Sequence, residues 1–137
     1  MLDRRQRVRV RDLDAADAGP AAAALREAEE EIGLCRQSAD LLGYLPGLLT
    51  GTGFHVTPVV THIAGTPSFR PAPAEVASIF TLDFATLLDP AAPRRQTAQL
   101  AGRTREFWVW PHREHHIWGA TGVILMSLAK AMAGLCQ

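Results

Sequence analysis

The sequence has no apolar run long enough to cross a membrane, no excess of charge of either sign, and only two cysteines. Each absence excludes something. A bilayer-spanning helix needs about 20 mostly apolar residues in a row, and no stretch here approaches that. The 14 basic and 14 acidic side chains cancel, so the chain lacks the basic field that a nucleic-acid or membrane-surface partner requires. Its first residues, MLDRRQRVRVRDLD, contain no apolar signal-peptide core. Cys35 and Cys136 match no metal or redox spacing. They read as reduced thiols of a cytoplasmic protein, a reading the missing signal supports, with a pairing between them left open by the sequence. What is present is a chain of 137 residues, 47% of them apolar. That is enough for one domain with a buried core.

Residues 1–18 are charge-dense and read as a charged arm, or as a short edge strand in which Val8 and Val10 alternate with arginines. Gly19-Pro20 then opens a helix, because proline is tolerated in the first turn. The helix ends at about Ile32, where Gly33 is a natural terminator. Ala21, Leu25, Ala28 and Ile32 recur at helical spacing and form an apolar stripe facing a core. Downstream, 44–49 reads as a strand interrupted at Pro46 and Gly47, and 54–63, rich in Val and Thr, as a second strand. The three prolines of 66–74 make a loop. A strand or strand entry follows over 75–82, a short helix over 83–88, a β-like aromatic segment over 105–110, and a core helix over 117–135. Strands interleaved with helices imply a layered α/β or α+β domain.

The chemistry is concentrated in the stretch LREAEEEIGL, residues 25–34. On a helix Glu27, Glu30 and Glu31 are three and four residues apart and share one face. That face lies opposite the Leu25, Ala28 and Ile32 stripe, and Glu29 falls nearer the apolar side. Such crowding is locally unfavourable, at about 0.2–0.5 kcal/mol per like-charged pair. The helix C-terminus also disfavours anions. Arg26 can pair with Glu30 and offset part of the cost, and a divalent cation would offset far more. Oxygen-only ligands select a hard ion, Mg²⁺ or Mn²⁺. A bare run of glutamates, by contrast, is ordinarily a solvated face.

The complete string resembles the second half of the Nudix box. Other blocks resemble the coenzyme A diphosphatase branch of that superfamily: Asp14 and Asp17 before the helix, Gly53-Phe54 with Thr57-Pro58-Val59-Val60, Pro73-Ala74-Glu75-Val76, and Ile117-Trp118-Gly119-Ala120-Thr121. The resemblance implies a Nudix-type α/β/α sandwich with a mixed β-sheet over 19–137. It also implies Mg²⁺- or Mn²⁺-dependent hydrolysis of the pyrophosphate bond of a coenzyme A-like nucleotide. In the implied site Glu27, Glu30 and Glu31 hold metal, Glu75 is a further ligand or the general base, and Arg26 orients the glutamates. Other nucleoside-diphosphate-linked substrates, such as ADP-ribose or a nucleotide sugar, remain open.

The sequence departs from the family at its start. Arg9-Val10-Arg11-Asp12 stands where the family has a Pro-Gly-Gly turn, and Ala18 stands at the box's earlier glutamate. The expectation is therefore a domain entered partway through, with an exposed sheet edge able to pair with a second copy. The same departure leaves room for a catalytically silent remnant. His112, His115 and His116 read as loop histidines, His55 as solvent-facing, Gly119 as a site of close helix packing, and Trp108, Trp110 and Trp118 as packing residues.

Overall fold

The computed structural model describes residues 19–135. The expected arm or strand over 1–18, with Val8, Val10, Asp14, Asp17 and Ala18, and also Cys136, lie outside the described residues. Helices and antiparallel strand pairs make the chain α+β, the class expected. It divides at Thr81/Leu82 into two compact units.

The first unit opens with α1, Pro20–Ile32. Pro20 occupies its first turn and Gly33 closes it with φ 70°, both as the sequence predicts. Gly33 N–H donates to the Glu29 carbonyl at 3.0 Å and Leu34 N–H to that of Ala28 at 3.3 Å. This nested pair satisfies last-turn carbonyls, and only glycine adopts the left-handed conformation without strain. Ile32 is fully buried, with Leu34 and Val76 beside it and Leu25, Ala28, Ala39, Ile63, Phe69 and Ile79 packed around them. Ala23 and Ala24 are buried as well, so the apolar face of α1 is wider than the predicted stripe.

A 3-10 turn, Arg36–Ser38, leads into β1, Ala39–Tyr44. Next come β2 (Leu48–Leu49), β3 (His55–Val56) and β4 (Val59–Ile63). β1 pairs with β4 and β2 with β3, each antiparallel. Ala39 stands opposite Ile63, which brings both onto the core around Ile32. A bulge between Leu41 and Gly43 shifts the register, and Leu41, Leu42 and Tyr44 are exposed.

The interruption expected at Pro46 and Gly47 within 44–49 is present: the end of β1 and the short β2 are separated at Leu45-Pro46-Gly47. Two expectations are corrected. The strand over 54–63 is broken at Thr57-Pro58, because proline has no N–H for a ladder. The segment 75–82 is not a strand: the N–H groups of Glu75 and Val76 both donate to the Ala72 carbonyl, at 3.0 and 2.9 Å. Donors used in that turn are not available to a ladder.

The second unit contains α2 (Phe84–Leu88), β5 (Arg94–Leu100), β6 (Arg103–Val109) and α3 (Gly119–Leu135). The hairpin β5–β6 turns at Ala101 and Gly102, with φ of 52° and 74°. Two successive positive φ values are what a two-residue hairpin turn requires. The bridge between Trp110 and Ile117 closes the histidine loop, and both residues are buried. The Trp110 indole N–H donates to the Gly122 carbonyl at 3.1 Å. A Cβ built on Gly122 would stand 2.8 Å from the Trp108 carbonyl oxygen, so the close approach of α3 occurs at Gly122. Gly119, the predicted position, instead takes φ 64° at the start of the helix.

The pairings among the described residues form three separate two-stranded antiparallel ladders, where a mixed β-sheet was expected. Parallel pairing needs a crossover connection of a dozen or more residues. The connection from β5 to β6 is far shorter, as is that from β2 to β3.

Candidate active site

α1 carries the candidate carboxylates. Its apolar face is held by Ile32, Leu25 and Ala28 in the core, which turns Glu30 outward, its side chain 61% exposed. Arg26 Nη1 donates to Glu30 Oε1 at 3.3 Å, the i,i+4 pair expected. Glu27 and Glu31 are partly buried. Glu29 corrects the expectation that it points toward the apolar side. Its side chain is 51% exposed and accepts a bond of 2.6 Å from Arg36 Nε. The 3-10 turn after the helix thus supplies Glu29 with its own cation.

Glu75 is far from the helix in sequence but belongs to the segment docked on it. Ala72 N–H donates to the Glu31 carbonyl and Arg70 N–H to the Ile32 carbonyl, each at 2.8 Å. Helix C-termini leave their last carbonyls without intrahelical donors, and here an outside segment meets them. The alternation Arg70-Pro71-Ala72-Pro73 explains which residues do so. The prolines have no N–H, so the donors in this stretch are Arg70 and Ala72, and both are used on α1. Glu75 follows at the end of the turn Pro73–Glu75, and Val76 behind it is buried against Ile32 and Leu34. The structure therefore brings the Glu75 backbone to the C-terminal end of the carboxylate helix. The role of this strap is not apparent from spacing alone. Its signal in the sequence is the every-other-residue proline pattern.

The donor set is chemically suited to a hard divalent ion, since all four side chains offer carboxylate oxygens. Among the described residues no three His, Cys, Asp or Glu side chains are already gathered closely enough to hold a metal ion. The fit is one of donor chemistry and backbone placement.

The other singled-out residues serve local structure. His55 is exposed. His112 Nδ1 accepts the N–H groups of Glu114 and His115 at 3.2 and 3.1 Å, which makes it a turn-forming residue. Trp118 lies 5.5 Å from Phe107 and 5.9 Å from His116, ring centroid to centroid. The Arg95 guanidinium lies 5.0 Å from the centre of the Trp108 ring. Cys35 is an exposed thiol outside any disulfide, and its Sγ–H donates a hydrogen bond to Gln37 Oε1 at 3.0 Å. No helix among the described residues is long and apolar enough to cross a membrane.

No protein-family model matches the chain. Curated relatives do. The chain is 34% identical over 117 residues to the uncharacterized Nudix hydrolase NudL of Salmonella paratyphi B, and equally to those of Salmonella newport and Salmonella heidelberg. The similarity covers 85% of this chain and 61% of each relative, so the chain spans under two thirds of their length. A span of 117 residues in a chain of 137 necessarily takes in residues 21–117, and with them the carboxylates of α1 and the Glu75 turn. By sequence, the chain is homologous to Nudix hydrolases over most of its length, candidate site included.

Proposed function

We propose that this chain acts as a Nudix hydrolase that uses Mg²⁺ or Mn²⁺ to cleave the pyrophosphate of coenzyme A or its derivatives. Water adds to one phosphorus and the bridging P–O bond breaks. The products are adenosine 3′,5′-bisphosphate and 4′-phosphopantetheine. The observation that carries this reading is the pair of 2.8 Å bonds from Arg70 and Ala72 to the end of α1. They bring the Glu75 segment to the helix of Glu27, Glu30 and Glu31. A divalent ion, when bound, supplies positive charge against the pyrophosphate oxygens. Glu27, Glu30 and Glu31 are the residues that would hold it. Arg26 orients Glu30 through its 3.3 Å bond. Glu75 is either a further ligand or the base that takes the proton of the attacking water.

The coenzyme A preference rests on the matched blocks outside the box, and ADP-ribose or a nucleotide sugar is the competing substrate. A panel of coenzyme A, ADP-ribose and NADH with MgCl₂ tests this. Coenzyme A should give the highest kcat/KM, and faster turnover of ADP-ribose would overturn the preference. Glu75→Gln separates its two roles. Loss of a base removes the acidic limb of the pH–rate profile, whereas loss of a ligand raises the Mg²⁺ requirement. Failure to cleave any of the three substrates would favour the silent remnant.

The reading extends to self-association with a second copy along β1. Its edge away from β4 has no strand partner among the described residues, and Leu41, Leu42 and Tyr44 on it are exposed. Unpaired edges and clustered exposed apolar groups favour pairing between chains.

A further inference from the structure

Residues 19–81 contain three arginines: Arg26, Arg36 and Arg70. Two are committed to glutamates of α1, Arg26 to Glu30 and Arg36 to Glu29. Arg70 is exposed and makes no ion pair with any described residue, although it adjoins the most acidic stretch of the unit. Its backbone is held there firmly. The N–H donates to the Ile32 carbonyl at 2.8 Å. A Cβ added at Gly33 would come to van der Waals distance, 3.6–3.8 Å, of Arg70 backbone and Cβ atoms, so the two segments run close side by side. Pro71 follows directly and restricts the chain further.

We infer that Arg70 binds a phosphate group of the diphosphate substrate, at the C-terminal edge of the carboxylate helix. This rests on the pyrophosphatase reading above. A guanidinium presents a planar fork of donors that matches two phosphate oxygens at once. A site built of glutamates repels a diphosphate unless cations meet the phosphate oxygens. Arg26 and Arg36 are engaged in neutralising carboxylates, which leaves Arg70 as the arginine of 19–81 whose charge is available to a ligand. Fixing its backbone in advance lowers the ordering cost of binding. The competing use of the same charge is to stabilise the helix C-terminus, where cations are favoured. That role would affect melting and leave ligand binding unchanged.

The test uses the full chain with inorganic pyrophosphate as the probe, in calorimetry with and without MgCl₂. Arg70→Gln should weaken pyrophosphate binding about tenfold or more, and Arg70→Lys should restore part of it. With coenzyme A as substrate, KM should rise by a similar factor while kcat changes by less than about twofold, the mark of a contact present in both ground and transition states. Unchanged pyrophosphate binding in Arg70→Gln overturns the assignment, including the case in which only the melting temperature falls. The two readings fail separately. If the wild-type chain binds pyrophosphate through Arg70 but cleaves no diphosphate substrate, the hydrolase reading falls and Arg70 stands. If it cleaves coenzyme A and Arg70→Gln matches it, only the Arg70 assignment falls. If the wild-type chain neither binds nor cleaves, both are overturned.

Discussion

The backbone N–H of Ala72 donates to the carbonyl of Glu31 at 2.8 Å. With the Arg70 bond to Ile32, it joins the helix holding the candidate ligands to the segment holding Glu75, across forty residues of chain. Ala72→Pro removes the donor and leaves the Glu31 carbonyl without this partner, at a cost of about 0.5–1.5 kcal/mol. The functional effect should be larger, because a misplacement of about 1 Å at a reacting centre can cost 10²-fold in rate. Hydrolysis should fall at least tenfold while circular dichroism of α1 is retained. Wild-type turnover in Ala72→Pro would show that the strap does not position Glu75.

Glu30→Gln and Glu31→Gln should each abolish most metal-dependent hydrolysis. Glu30 loses only an exposed i,i+4 pair with Arg26, worth about 0.3–0.5 kcal/mol. Its melting temperature should therefore barely move. Mg²⁺ titrations of both variants check this, and an unchanged metal requirement in both would remove the metal-site assignment.

Ile32→Ala should destabilise the first unit by about 2–5 kcal/mol. Ile32 is fully buried among Leu34, Val76 and the apolar face of α1. The loss reaches the site as well, since Val76 anchors the segment of Glu75. Denaturant unfolding monitored by far-UV circular dichroism gives the stability change.

Gly122→Ala should disturb the second unit. The new methyl would stand 2.8 Å from the Trp108 carbonyl oxygen, and helix and strand would have to separate. Overpacking of this kind costs about 1–3 kcal/mol. The buried Trp110 indole bond to Gly122 should loosen, which tryptophan emission will report as a red shift.

Leu42→Lys tests self-association. Leu42 is 67% exposed on the bulged strand β1, and a charge on an edge strand opposes pairing with another chain. Light scattering should show a larger species for the wild type and a smaller one for the variant. A monomeric wild-type chain would end this reading.

Local chemistry makes much of α1 legible in the sequence. Pro20 and Gly33 mark its ends, the spacing of Leu25, Ala28 and Ile32 gives its inner face, and Glu30 lies on its outer one. These depend on residues within a few positions of one another. The i,i+4 pairing of Arg26 with Glu30 is readable for the same reason. β5 is not, because Arg94–Leu100 is exposed along most of its length and shows no apolar alternation. Its definition comes from pairing with β6 across the Ala101-Gly102 turn. The segment 75–82 misleads in the opposite way: its apolar residues suit a strand, but the Ala72 turn takes the first N–H groups. The docking of the Glu75 segment on α1 and the position of Arg70 arise from contacts between distant parts of the chain. No local propensity encodes them. They exist because Ile32, Leu34 and Val76 share one core, and because the carbonyls at the end of α1 must find donors outside the helix.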